Sequence, residues 1–301
     1  MDAATDPPKP NLWIEGAYLA LLALLWGSSY LFIKIAVAEI PPITLIAMRV
    51  SIACAFLLIV VYLRGDPLPR DPRTWKMLLL QAMFNSIVAW TILAWGQQYV
   101  DSGLASVLNS TAPIFVFFIT LLITRHETVS PLKLGGAMLG LIGVVLVVGA
   151  EALGGITQQL AGALAALTGA LLYACAAIYG KNLAHLTPAV SSAGTMIWAT
   201  LCLVPLALVI DRPWSLHPSP AALAAALILA IFCTGGALLI YFRLLQTLGS
   251  LGVTSQAYLR AGVGVLLGVI FLGEQISLLV GFGLLLAILG VVAINLPARG
   301  K

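Results

Sequence analysis

Arg260 is the strongest candidate for a functional side chain, because it is the one charged residue in an otherwise uncharged stretch, 252–271. It stands about 12 Å along the helix predicted there, at about 1.5 Å per residue, which is far for its charge to reach a polar boundary. A guanidinium group in this position could attract the carboxylate of a solute, with Gln256 one turn earlier on the same helix face. The alternative is that Arg260 binds backbone carbonyls or extends to a lipid headgroup.

Other polar and aromatic side chains recur at helical spacing within apolar stretches. The predicted solute-binding set is Gln81, Asn85, Trp95, Tyr99, Asn109, Tyr173, Gln256, Tyr258 and Arg260. Aromatic walls with a few polar groups suit an apolar amino acid. The alternative is that the polar groups bond helix to helix, with Trp95 and Tyr99 in an interfacial belt.

Residues for catalysis, metal binding or proton relay are missing from these stretches. None of the eleven carboxylates falls in the middle third of a predicted span, the three histidines are isolated, and the four cysteines have no CxxC spacing. The motifs GxSxG, HExxH and GxxxxGK[ST] are also absent. The sequence therefore predicts no enzyme, no metal and no cofactor, and it favours gradient-driven transport without ATP or a carboxylate relay.

The composition explains where these side chains must lie. Hydrophobic residues make up 61% of the 301 residues and charged residues 9%, against about 25% charged in a soluble domain. Lipid must therefore surround most of the chain. The net charge of +4 comes from scattered residues, so no nucleic-acid partner is predicted.

The long apolar stretches predict an all-α integral membrane protein with ten transmembrane helices. The stretches are 16–33, 42–63, 77–100, 102–124, 134–150, 152–180, 182–210, 213–242, 252–271 and 275–298. With the N-terminus inside, eleven Lys and Arg residues fall on the inner side and two on the outer side. The positive-inside rule then puts both termini in the cytoplasm.

A constant offset of 147 residues relates the two halves of the sequence. Lys34 pairs with Lys181 (181−34), Glu127 with Glu274 (274−127) and Asn109 with Gln256 (256−109). This predicts a tail at 1–15, five-helix repeats at 16–150 and 151–297, and a tail at 298–301. Because five is odd, the second repeat must have inverted topology, as in many secondary transporters.

Several motifs at repeat-related positions resemble the EamA-domain family of the drug/metabolite transporter superfamily. They are Leu24 to Ser29, Ala112 to Phe115, Glu127, Gly143 to Val145, Leu272 to Glu274 and Gly281 to Val292. Within that family the chain resembles the YddG-type exporters of aromatic and other hydrophobic amino acids. One departure is that Arg260 stands where the first repeat has Pro113 (260−113).

The resemblance implies an inner-membrane exporter of small hydrophobic or aromatic amino acids that works by alternating access. Two alternatives remain open: a carrier of drugs, nucleosides or other metabolites, and a membrane scaffold that transports nothing. The oligomeric state is also open, and a monomer is compatible with the sequence. The pairs Gly136/Gly140 and Gly264/Gly268 are predicted to allow close helix packing.

Overall fold

The computed structural model describes residues 12–121, 131–153, 157–254, 256–275 and 277–295. The described residues are helical with short connections, and they contain no strand. The α-helices of the first half are α1 (Leu12–Val37), α2 (Pro42–Arg64), α3 (Pro72–Ala82), α4 (Val88–Gly96), α5 (Ser102–Asn109), α6 (Ala112–Ile119) and α7 (Pro131–Leu153). Those of the second half are α8 (Thr157–Tyr179), α9 (Pro188–Ile210), α10 (Pro220–Ala230), α11 (Ala237–Thr254), α12 (Ala257–Leu272) and α13 (Leu278–Asn295).

Seven helical stretches among the described residues are long and apolar enough to cross a membrane. They are Trp13–Val37, Pro42–Arg64, Pro72–Gly96, Ser102–Ile119, Gln159–Leu183, Pro188–Ile210 and Pro220–Gly249. Three shorter apolar helices cover Leu134–Gly143, Leu259–Leu272 and Gly281–Gly290. The chain is thus an all-helical membrane protein, and the full count of ten spans stays a prediction.

Two of the long stretches contain π-helical segments in similar places. Met83–Ile87 joins α3 to α4, and Ile231–Gly236 joins α10 to α11. Subtracting 147 moves the second segment onto positions 84–89, over the first. Single π-turns interrupt the ordinary helical hydrogen bonds and are frequent at functional sites.

Helix breaks also recur at the same offset. Ser110 and Thr111 separate α5 from α6, and Gln256 lies at the break before α12, 147 positions after Asn109. Gly249 interrupts α11 with φ 73°, a conformation that favours glycine, and it lies 147 positions after the first residue of α5. Glu127 and both chain termini lie outside the described residues.

Small residues bring helices close together, as the glycine pairs predict. α7 packs along α13, and a Cβ on Gly290 would meet backbone atoms of Gly136 and Gly140. α5 packs along α12, where a Cβ on Gly264 would meet the side chain of Ser106. The prediction of close packing is confirmed for both pairs. The cysteines are unpaired, as expected from their scattered positions.

Candidate functional site

A central cavity lies where both halves of the chain meet. Its lining comes from α1, the π-segment of the third apolar stretch, α6, α8, α11 and α12, with Gln256 at the break before α12. The lining residues are Trp26, Asn85, Ala112, Tyr173, Ala177, Tyr241, Val253, Gln256, Ala257 and Arg260. Four predicted site residues therefore face one space: Asn85, Tyr173, Gln256 and Arg260.

Three aromatic rings form one wall of this cavity. Trp26 lies parallel to Tyr173, with ring centroids 6.4 Å apart, and its ring centroid is 5.2 Å from that of Tyr241. The guanidinium carbon of Arg260 is 5.9 Å from the centroid of the Tyr173 ring. The wall therefore offers apolar and cation-binding surface to one ligand.

The position of Arg260 depends on the break between α5 and α6. Pro113 has no backbone N–H, so the carbonyl of Asn109, four residues earlier, lacks its helical donor. Arg260 Nη2 donates to that carbonyl at 3.0 Å, and Arg260 Nε donates to Ser110 Oγ at 3.3 Å. The proline of the first half thus frees an acceptor for the arginine at the equivalent position of the second half.

Arg260 is only 3% exposed, and it has no carboxylate partner within the described residues. It binds a backbone carbonyl and it lines the cavity, while its attraction for a solute carboxylate stays a prediction. Its remaining N–H donors are available to a ligand, since a guanidinium group carries five. A buried cation without an anion favours an anionic group in the cavity.

The two amides that line the cavity have spare hydrogen-bonding capacity. Gln256 is 3% exposed, and its Oε1 has no partner among the described residues. Asn85 donates from Nδ2 to Ser86 Oγ at 3.2 Å. Since a buried amide oxygen without a donor is costly, Gln256 is suited to accept a hydrogen bond from a ligand.

Asn109 is buried beside the cavity and is already bonded. Its Oδ1 accepts from the Tyr30 hydroxyl at 2.9 Å, and its Nδ2 donates to the Ala166 carbonyl at 3.3 Å. Together with the bond from Arg260, these contacts join α1, α5, α8 and α12. The structure therefore places Asn109 as a support for Arg260.

The other predicted residues lie away from the lining. Gln81 is fully buried one turn before Asn85, whereas Trp95 packs on Tyr99 with ring centroids 5.1 Å apart. The side chain of Tyr258 lies outside the described part of the chain. Sequence reasoning did not place Trp26 and Tyr241 in the site, although Trp26 aligns with Tyr173 at offset 147 (173−26).

Arg49 is a second buried arginine that sequence reasoning did not include in the site. It is 2% exposed, its guanidinium carbon is 3.8 Å from the Trp90 ring centroid, and its Nε donates to Thr234 Oγ1 at 2.6 Å. Thr234, in the π-segment, in turn donates to the carbonyl of Leu229, five residues earlier in α10. Arg49 thus supports the irregular part of the helix that leads to Tyr241.

The family model described as the EamA-like transporter family matches this sequence twice, over residues 14–149 and 160–296. The chain belongs to the EamA-like transporter family. The matches together cover most of the sequence, including every residue that lines the cavity.

Relatives from bacteria and archaea extend over nearly the whole chain. The uncharacterized inner membrane transporter YedA of Escherichia coli K12 is 28% identical over 283 residues, covering 93% of this chain and 90% of its own. The uncharacterized transporter YoaV of Bacillus subtilis is 24% identical, over 90% of this chain and 92% of its own. An uncharacterized transporter of Archaeoglobus fulgidus is 26% identical, over 91% and 94%.

A solved crystal structure shares the fold. It aligns with a TM-score of 0.67 and 20% identity over 94% of this chain and 96% of its own. With the family and the relatives, the apolar helices identify a multi-pass inner-membrane transporter of a small molecule.

Proposed function

We propose that this transporter exports hydrophobic and aromatic amino acids by facilitated alternating access. The observation that carries the proposal is the pairing of Arg260 with the unbonded Gln256 Oε1 in one aromatic cavity. The α-carboxylate binds the free N–H groups of Arg260, and the α-ammonium donates to Gln256 Oε1. The side chain then packs against Trp26, Tyr173 and Tyr241.

The charge of the cavity lining supports a small zwitterion. No lining residue among those described is a carboxylate, so no carboxylate faces the cavity to carry a coupled proton. A single lining arginine also provides fewer cationic donors than a diphosphate would require.

The mechanism we propose uses ten spans arranged as two inverted five-helix repeats, with both termini in the cytoplasm. Supporting observations are the double family match, the overlapping π-segments and the helix breaks that recur at offset 147. Rocking of one half against the other would expose the cavity to each side in turn. In this mechanism the residues bind and release the solute, and none of them catalyses a reaction.

Counterflow into proteoliposomes tests the substrate. Vesicles are preloaded with unlabelled amino acids, nucleosides or quaternary amines, and entry of the same labelled solute is followed with and without a pH gradient. We expect saturable exchange of phenylalanine, tryptophan and leucine that does not depend on the gradient. Exchange of another solute class alone would overturn the amino-acid proposal, and uphill transport driven by the pH gradient would overturn facilitation.

Arg260→Ala tests the site within the same assay. Loss of charge-assisted hydrogen bonds to the carboxylate should lower amino-acid exchange by at least about tenfold. Arg260→Lys keeps the charge and should retain part of the rate. Arg64→Ala, an exposed arginine at the end of α2, is the matched control. Normal exchange by a folded Arg260→Ala variant would reject the assignment.

A further inference from the structure

Gln81 is a buried amide with no hydrogen-bonding partner among the described residues. Its side chain is 0% exposed, and both Oε1 and Nε2 lack a partner. Leaving both groups without water or a partner carries their full desolvation cost. Since Gln81 does not line the central cavity, the solute position proposed above does not account for it.

The surroundings of Gln81 place it between two spaces. Beyond it, away from the central cavity, is a polar vestibule. The vestibule is lined by Arg73, Thr74, Met77, Tyr179, Asn182 and His185. The central cavity begins on the other side, at Asn85 and Ala177.

Two antiparallel stretches of chain extend from the vestibule, past Gln81, to the central cavity. Met77, Gln81 and Asn85 follow one another at four-residue intervals along α3 and its π-segment. The opposite stretch runs from Ala177 in α8 through Gly180 to Asn182. At about 1.5 Å per residue, Gln81 lies about 6 Å along the helix from the vestibule and from the cavity.

The layer between the two spaces includes side chains that can change rotamer. A Cβ on Gly180 would lie 2.8 Å from Leu245 Cδ2 and 3.4 Å from Gln81 Nε2, so these three residues meet. Phe84 and Tyr179 pack edge to face next to the layer, with ring centroids 6.4 Å apart. A passage from the vestibule to the cavity at this point would require the Leu245 and Gln81 side chains to rotate.

We propose that Gln81 is a second, transient binding position for the polar end of a zwitterionic amino acid as it passes between the vestibule and the central cavity. The amide supplies one acceptor for the ammonium group and one donor for the carboxylate, since neither Oε1 nor Nε2 has a partner among the described residues. The proposal rests on the proposed function for the identity of the ligand, but the passage itself does not.

Flux and binding together test the ligand. In Gln81→Leu, which keeps the volume and removes the amide, we expect phenylalanine exchange to fall about fivefold or more. The equilibrium affinity for labelled phenylalanine should change less than twofold, because Arg260 and Gln256 remain. Unchanged exchange would overturn the binding role. An equal loss of affinity and exchange would place Gln81 in the central site and would also overturn it.

Cysteine accessibility tests the passage without relying on the substrate. In a transport-competent variant with the four native cysteines replaced, Gln81→Cys is treated with the membrane-impermeant reagent methanethiosulfonate ethylsulfonate. Met77→Cys, at the vestibule, is the positive control. Leu78→Cys is the matched buried control, since Leu78 is 0% exposed and packs against Gly194 of α9.

We expect Gln81→Cys to react measurably, more slowly than Met77→Cys, while Leu78→Cys stays unreactive. Excess phenylalanine should slow the reaction of Gln81→Cys. If Gln81→Cys is as unreactive as Leu78→Cys, the passage is overturned. If Gln81→Cys reacts but only a solute of another class slows it, the passage stands and the amino-acid ligand is rejected.

Discussion

The two ends of the central cavity are closed by different chemistry. At one end, hydrogen bonds connect Arg260 through Asn109 to Tyr30, whose carbonyl accepts from Gln97 Nε2 at 3.0 Å. Lys34 Nζ then donates to the carbonyls of Gln97 and Val100 at 2.9 and 2.7 Å. At the other end, Gln81 has no hydrogen-bonding partner among the described residues.

We name the first region the capped end, because acidic side chains from distant segments bind helix N-termini there. Glu274 accepts from the backbone N–H groups of Ser102 and Gly103 at the start of α5, at 2.7 and 2.9 Å. Asp211 accepts from Thr44 N at 2.9 Å, near the start of α2. Such contacts satisfy N–H groups that a helix leaves free and match the positive end of its dipole.

The vestibule end is held differently. α3 and α9 are capped by their own preceding residues, where Asp71 accepts from Thr74 N and Thr187 from Val190 N. A contact between the two halves lies at the edge, where Arg243, 44% exposed, pairs with Glu15 at 2.9 Å. The difference is that buried side chains such as Tyr30 and Asn109 are hydrogen-bonded to each other at the capped end, whereas Gln81, next to the vestibule, has no partner among the described residues.

The largest expected effect is the loss of the Glu274 contact. Glu274→Ala removes a carboxylate that binds two N–H groups of the other half, which should lower the free energy of unfolding by about 2 kcal/mol. Differential scanning calorimetry of the variant in detergent should show a melting temperature lower than that of the parent protein by roughly 5 °C.

Glu39→Ala is the matched control for Glu274→Ala. Glu39 accepts from Ser219 N and Ser219 Oγ at 2.6 and 2.8 Å, but it is exposed. Its removal should lower the melting temperature much less, since exposed contacts of this kind contribute little. Since Glu39 also binds the N-terminus of a helix, α10, equal effects of the two substitutions would show that burial does not strengthen the Glu274 contact.

The next largest effect concerns the vestibule end. Gly180→Ala places a methyl group between Gln81 and Leu245, so the passage becomes narrower. We expect the rate of amino-acid exchange to fall about fivefold, because steric crowding of about 1 kcal/mol changes a rate by about that factor. Equilibrium binding should not change. The same substitution at Gly16, where a Cβ would have no neighbour within 4 Å, should leave exchange unchanged. Faster exchange by Gly180→Ala would contradict the narrow layer.

The sequence revealed the helical class, the family and four lining residues, because ionisable and amide groups in apolar segments are rare enough to be noticed. It did not place Tyr241 in the site, since an apolar run carries no signal for which face turns inward. The partners of Arg49 were also hidden, because Thr234 lies 185 positions away and the contact exists only after folding. The pairing of Pro113 with Arg260 was visible only as a mismatch between repeats, and its meaning needed the structure.

The same limit applies to Gln81 and Asn109. Both are amides in apolar segments, and the sequence placed both in one binding set. The structure shows that three bonds from other helices involve Asn109, while Gln81 has no partner in the described part of the chain. Whether a buried amide is bonded to other helices or is free to bind a ligand depends on partners from distant segments. The sequence pattern around the amide does not reveal those partners.

The smallest expected effect compares one aspartate from each end. Burial and the nearby Glu274 raise the pKa of Asp101, with Lys34 opposing them, whereas hydrogen bonds from Thr74 lower the pKa of Asp71. A raised pKa means that ionised Asp101 disfavours folding above that pKa. A lowered pKa means that ionised Asp71 favours folding, a contribution that is lost as the pH falls through its folded pKa.

Asp101→Asn should therefore raise the melting temperature at pH 7, and Asp71→Asn should lower it, each by less than about 2 °C. The Asp101→Asn difference from the parent protein should shrink as the pH is lowered from 7 towards 4, whereas the Asp71→Asn difference should persist over that range and shrink only at lower pH. Asp101 makes no side-chain cap to α5, so its substitution removes no cap bond, and asparagine can still cap α3 in place of Asp71. If both substitutions changed the melting temperature in the same direction, the two ends would not differ in their effect on an ionised carboxylate. The comparison would then depend only on the amides Asn109 and Gln81.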